Sequence, residues 1–150
     1  MSNGVVIITG GGRGIGAATA RAVATAGSTV VFAYQSRDRQ ADQLVADIEA
    51  SGGRALAVRA DVSRESEILR CFAVADGAGP LIGLVNNAGM TGGQSTVMNV
   101  DTAQVAKVFE LNVVGAFVCA REAVRRMARS RGGRGGAIVN ISSAAVRSGS

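Results

Sequence analysis

The 150-residue chain is 47% hydrophobic and 18% charged, with 3% aromatic residues and no tryptophan or histidine. That balance suits a sheet buried on both faces and argues against disorder, while the missing histidine excludes a Ser-His-Asp triad and any histidine-ligated metal; no metal site is expected. The net charge of +5 is arginine charge, because Lys107 is the only lysine.

Strand and helix signals alternate along the whole chain. Val5–Thr9 reads as a strand and runs into glycines, after which Gly14–Ala26 has helical spacing with Ile15, Ala18, Ala22, Val23 and Ala26 on one face. Thr29–Ala33 is the second strand, and Asp38–Ala50 a helix with Leu44, Val45 and Ile48 inward, closed by Gly52-Gly53. Ala55–Ala60 is the third strand. Ser63 is placed to cap a helix through Ile68, Leu69, Phe72 and Ala73, broken by Gly79-Pro80. Leu81–Asn86 is the fourth strand, Asp101 with Gln104 caps a long helix to about Arg129, and Ala137–Ile141 is the fifth strand. Five strands separated by helices predict an α/β fold, a doubly wound parallel sheet with helices on both faces, and one domain over residues 1–150.

Cys71 and Cys119 fall in helical segments and read as buried free thiols. No apolar run approaches the roughly 18 residues of a membrane span, and no signal peptide precedes the first strand. A cytoplasmic protein without membrane association is expected. Arg121, Arg125, Arg126, Arg129, Arg131 and Arg134 cluster late, and the favoured reading is a solvated helix end with well-placed cations. No aromatics are interleaved to stack bases, so no nucleic-acid partner is expected.

In a sheet of this kind ligands bind beyond the carboxyl ends of the strands, where strand order reverses. Small or polar residues follow every strand. Gly10, Gly12, Gly14 and Gly16, with Arg13 and Ile15, form a turn between strand and helix. Glycines let backbone approach a pyrophosphate, and the helix N-terminus offers unpaired N–H groups, so a nucleotide is the expected ligand. The turn fits G-x-G-x-x-A from Gly12 and also a threonine-led spacing, Thr9-Gly10-x-x-x-Gly14-x-Gly16. After the second strand come Tyr34, Ser36 and Arg37, with no carboxylate before Asp38. An NAD site usually holds an acid there for the ribose 2′-hydroxyl; Arg13 and Arg37 instead suit a 2′-phosphate, so NADP(H) is preferred over NAD(H). Asp61 is placed to accept from an adenine amino group while the Val62 N–H serves a ring nitrogen. Asn87, Ala88 and Gly89 end the fourth strand, where an amide can tie loops together and small residues admit a cofactor.

With these residues in hand, the chain resembles the short-chain dehydrogenase/reductase family. The TGxxxGxG motif is matched by Thr9, Gly10, Gly14 and Gly16, the adenine-site aspartate by Asp61, and NNAG by Asn86-Asn87-Ala88-Gly89. The helix asparagine in its N-x-x-G context is matched by Asn112 with Gly115, and the serine of the fifth strand by Ser143. Within the family, Arg13 and Arg37 resemble the NADP-preferring branch that includes β-ketoacyl carrier-protein reductases and glucose dehydrogenases. The resemblance implies a Rossmann-type fold and an NADP(H)-dependent oxidoreductase interconverting a carbonyl and an alcohol on a small molecule. It gives Ser143 the role of hydrogen-bonding the carbonyl oxygen and Asn112 that of supporting a water relay at a helix irregularity. It also implies a homo-oligomer, a dimer or tetramer, paired through the long helix.

One departure is serious. The family's Tyr-x-x-x-Lys pair, general acid/base and its partner, lies about a dozen residues beyond the serine. The only tyrosine in these 150 residues is Tyr34 and the only lysine is Lys107, so neither can serve. The residues from Ala144 to Ser150 read as a loop, and the expectation is the N-terminal part of a longer protein. The alternative is a dinucleotide-binding module without turnover.

Overall fold

The computed structural model describes residues 4–148; Gly149 and Ser150, read above as the end of a loop, lie outside the described residues. The elements are β1 (Val5–Ile8), α1 (Gly14–Thr25), β2 (Thr29–Tyr34), α2 (Asp38–Ala50), β3 (Arg54–Arg59), α3 (Glu65–Ala78), β4 (Leu81–Asn86), α4 (Thr102–Met127), β5 (Ala137–Asn140) and a single turn, α5 (Ala145–Ser148). The expected loop from Ala144 is thus partly helical. All four strand pairings are parallel, in the order β3-β2-β1-β4-β5. The chain builds outward from β1 to β3, then crosses back to β4 and β5. Strand order therefore reverses between β1 and β4, whose carboxyl ends flank a crevice.

The central strands are continuous apolar runs because both of their faces are covered. Ile7, Val31 and Leu84 point to the layer of α3 and α4, where they meet Ile68, Phe72, Cys119 and Met127. Their neighbours Ile8, Val30 and Phe32 point the other way, to Ala20, Leu44 and Ile48 of α1 and α2. Cys71 and Cys119 are free and buried in the first of these layers, where burial pushes each thiol up to about 12.

Two helix faces differ from expectation. α1 buries Gly16, Ala17, Ala20 and Ala24, whereas Ile15 is 62% exposed. The reason is close approach: a Cβ on Gly16 would strike the Gly10 carbonyl and the Asn87 side chain, so the helix turns its smallest face to the sheet. α3 starts at Glu65 rather than at a Ser63 cap, because the Ser63 hydroxyl and N–H both donate to Asp61 Oδ1. Its inward face is Ile68, Cys71, Phe72 and Ala75, while Leu69 and Ala73 face out.

α4 opens on Asp101, whose carboxylate accepts the Ala103 N–H. From Glu110 to Gly115 it widens into a π-helical turn, the irregularity expected around Asn112. Gly115 is buried there because a Cβ would run into the Val62 carbonyl. Although no uninterrupted apolar run reaches 18 residues, this helix does meet the length and composition of a membrane span, with a mean hydropathy of 1.4 and 11% of that window buried. Lys107 and Glu110 interrupt it, and Cys119, Ala123 and Met127 pack on protein. Its exposed apolar side chains are Val105, Phe109, Val113, Val114, Phe117 and Val124.

The arginines of α4 are not simply solvated. Glu122, 4% exposed, accepts from Arg121, Arg125 and Arg126, while Arg121 reaches Glu65 and Arg126 makes a fork onto Asp76 of α3. The Arg126 guanidinium also lies 5.0 Å over the Phe72 ring. These contacts fasten α4 to α3. Burial alone would raise the Glu122 carboxyl, but the hydrogen bonds from Arg126 and Arg121 and the charges of Arg125 and Arg126 outweigh it and hold the pKa below the ordinary value of 4.5. Such a group stabilises the fold above its unfolded pKa and loses that contribution as pH falls through the folded one. Glu122→Gln is therefore expected to cost about 1–2 kcal/mol at neutral pH, since its partners are partly exposed. Thermal melts should show the gap to wild type closing below pH 4.5; a gap that persists unchanged into acid would overturn the ionic account.

Candidate dinucleotide site

A cleft of about 320 Å³ lies at the carboxyl edge of the sheet, on the reversal between β1 and β4. Its volume is that of a small-ligand pocket. Of the residues expected from sequence, Gly10, Gly12, Arg13, Gly14, Ile15, Tyr34, Ser36, Arg37, Asp61, Val62, Asn87, Ala88 and Gly89 line it. Gly16 does not; it lies beneath, where its missing side chain lets α1 meet the glycine turn and Asn87.

The floor is set by two residues that lock β1 to β4. The Thr9 hydroxyl, 3% exposed, accepts the Asn87 and Ala88 N–H groups at 3.0 Å each. In return the Asn87 amide donates to the carbonyls of Thr9 and Gly10, also at 3.0 Å. The threonine-led glycine spacing and NNAG are thus two halves of one joint. Neighbouring Asn86 donates to Asn140 and to the Ala116 carbonyl, tying β4 to β5 and α4, with its own Oδ1 buried and unpaired.

The cleft lining carries cations. Arg13 precedes the first turn of α1, and Arg37 precedes α2 in a left-handed conformation, φ 71°, rare for a branched-out side chain. Both are exposed and both line the cleft. Tyr34 closes this end, its phenol pushed up first by burial and then by Asp38. Asp61 also lines the cleft. Burial raises its carboxyl, but donors on Ser63 and Gln35 and the charge of Arg64 prevail, leaving it below the ordinary range. Its loop leaves the Val62 N–H unpaired among the described residues.

Asn112 and Ser143 do not line the cleft. Asn112 grips the loop after β4, its Oδ1 accepting the Met90 N–H at 2.9 Å and its Nδ2 donating to the Met90 carbonyl at 2.8 Å. Ser143, just past β5, accepts the Ala145 N–H at 3.2 Å and is exposed. Five lining residues were not among those expected: Ala33, Gln35, Gln40, Ala60 and Leu111. Gln35 stands between two marked residues on a strand end, which is signal enough; Leu111 arrives from a distant helix and carried none.

The residues fit an adenine dinucleotide, with a helix N-terminus and glycines for the pyrophosphate, a carboxylate for a base and cations between them. Thr9→Val keeps the shape but strands two buried N–H groups. It should cost on the order of 1–3 kcal/mol, read as a lower urea midpoint with unchanged slope; an unchanged midpoint would remove Thr9 from the joint.

The family model described as short chain dehydrogenase matches residues 4–150. An uncharacterized oxidoreductase of Escherichia coli, YgfF, is 45% identical over 97% of this chain and 60% of its own length. A 3-oxoacyl-[acyl-carrier-protein] reductase of Synechocystis is 37% identical over 94% of this chain and 56% of that protein. Among solved structures, a blue fluorescent protein from a metagenomic library in complex with NADPH superposes with a TM-score of 0.88 and 33% identity, covering 99% of this chain and 60% of that one. The chain thus spans somewhat over half the length of these relatives. A Rossmann-type sheet with the threonine–asparagine joint at its reversal, matched by the family model over nearly every residue, places the chain in the short-chain dehydrogenase/reductase family.

Proposed function

We propose that the cleft holds the adenosine half of NADP(H), and that the protein interconverts a carbonyl and an alcohol on a small molecule. The observation that carries the cofactor choice is that Arg13 and Arg37 both line the cleft, with no carboxylate between Tyr34 and Arg37. Guanidiniums bind phosphate oxygens in a fixed fork, whereas an acid at this point would favour a free 2′-hydroxyl. Asp38, the first acid, starts α2 and lies 3.8 Å from Arg59 rather than in the cleft lining. That a similar protein is found with NADPH supports the same reading.

When bound, the nicotinamide supplies the hydride chemistry. The chain's own part is to hold and orient: the first turn of α1 presents N–H groups to the pyrophosphate, Asp61 and Val62 receive the base, and Ser143 supports the substrate oxygen. Asn112 keeps the loop after β4 closed against α4. Proton transfer needs a group poised near neutrality. Tyr34 is not that group, because its phenol is pushed above its ordinary 10.0 and faces the adenosine end. This favours a second reading for the 150-residue chain by itself, as a dinucleotide-binding unit without turnover.

Arg37→Ala should weaken NADPH roughly tenfold or more, the loss of one charge-assisted contact, while scarcely changing NADH. Calorimetric titrations giving equal losses for both, or tighter NADH binding to the unaltered chain, would overturn the assignment. The 150-residue chain should bind NADPH yet leave its absorbance unchanged with a panel of ketones, aldehydes and sugars. Turnover by a sample of confirmed mass would show that another of these residues moves the proton.

A further inference from the structure

The carboxylate expected to receive the base already holds three donors, one of them from a side chain that lines the cleft. Asp61 Oδ1 takes the Ser63 N–H at 3.0 Å and the Ser63 hydroxyl at 2.7 Å, and Oδ2 takes the Gln35 amide N–H at 3.1 Å. Arg64 stays 3.9 Å from Oδ2. Gln35 reaches across from the end of β2, and both residues line the cleft. We propose that the Gln35 carboxamide stands in for the adenine amino group, and that a base enters by displacing it, which makes Gln35 a determinant of base recognition. The inference rests on the dinucleotide reading of this cleft.

The chemistry of the two donors supports the exchange. A carboxamide and an adenine amino group each present N–H on a planar, conjugated nitrogen, so one can replace the other on a carboxylate with little net change. The Ser63 donors cannot yield in the same way. They belong to a two-residue turn that starts α3, and Arg64 N–H closes the same turn onto the Asp61 carbonyl. The Asp61 N–H is likewise committed, to Glu67 at 2.7 Å. Gln35 is held by one side-chain contact and is exposed, so it can swing into solvent where water satisfies its amide. The carboxylate therefore never faces the cleft unpaired, and a ring lacking a donor at that edge has no means to turn Gln35 out.

The test is Gln35→Met, which keeps length and bulk but removes the donor at an exposed site. Affinities of wild type and variant are measured by calorimetry for NADPH and for its unsubstituted-purine analogue, which carries a hydrogen in place of the amino group and so has no donor at that edge. The expected result is NADPH binding about three- to tenfold tighter in the variant, since no hydrogen bond to the carboxylate has first to be broken, with the analogue unchanged. Unchanged or weaker NADPH binding by the variant, with wild type binding normally, overturns the stand-in role and leaves the dinucleotide reading intact. Equal gains for both ligands would show that Gln35 acts by obstruction, and also overturn it. If wild type binds neither NADPH nor NADH, the reading of the cleft fails and the inference with it.

Discussion

Everything in the cleft depends on the joint between Thr9 and Asn87. A parallel sheet whose order reverses leaves two neighbouring strands with nothing crossing above them, and β1 and β4 are those strands. Their ends would otherwise splay, because each carries backbone groups with no ladder partner. Four hydrogen bonds at 3.0 Å close that gap using one hydroxyl and one carboxamide. The glycine turn can then be free of side chains, since its shape is fixed from below rather than by its own residues. Gly16 completes the arrangement by letting α1 come down onto the joint.

The second constraint is electrostatic. The cleft lining holds a carboxylate, Asp61, and two guanidiniums, Arg13 and Arg37, that form no ion pair among the described residues. The carboxylate is kept ionised by donors within its own loop and from β2, against the penalty of burial. The cations have no such partners among the described residues, so they remain available to a ligand anion. A site that satisfies its acid internally and leaves its bases open selects ligands that are anionic at one end and donate a hydrogen bond at the other.

How much of this was legible follows from which forces act locally. Strands such as Leu81–Asn86 and the helix Asp38–Ala50 were readable to the residue, because burial on both faces or strong amphipathicity leaves one consistent pattern. The face of α1 was not, because alanine and glycine carry almost no periodic signal and the winning term was backbone approach at Gly16. The start of α3 was missed for a related reason: Ser63 can cap a helix or serve a turn, and only Asp61 two residues earlier decides. In the site, strand ends were a sound guide, since topology alone brings them together. The pairings of Gln35 with Asp61, of Arg121 with Glu65 and of Arg126 with Asp76 depend on side chains meeting across elements, which spacing does not encode.

The same distinction separates holding a cofactor from using it. The residues that line the cleft come from the ends of β1 to β4 and the turns that follow, with Leu111 added from α4. Residues that the family resemblance assigns to the substrate lie outside the cleft lining: Asn112 holds Met90 with one acceptor and one donor, and Ser143 accepts the Ala145 N–H while its hydroxyl hydrogen can still donate. The one phenol is pushed away from neutrality by burial and a nearby acid, whereas proton transfer requires the opposite. The binding half of the chemistry is thus a property of the sheet's reversal, built early in the chain from backbone and short side chains. The acid–base half needs a group whose pKa is drawn toward neutrality, and the one phenol in the cleft lining is drawn the other way.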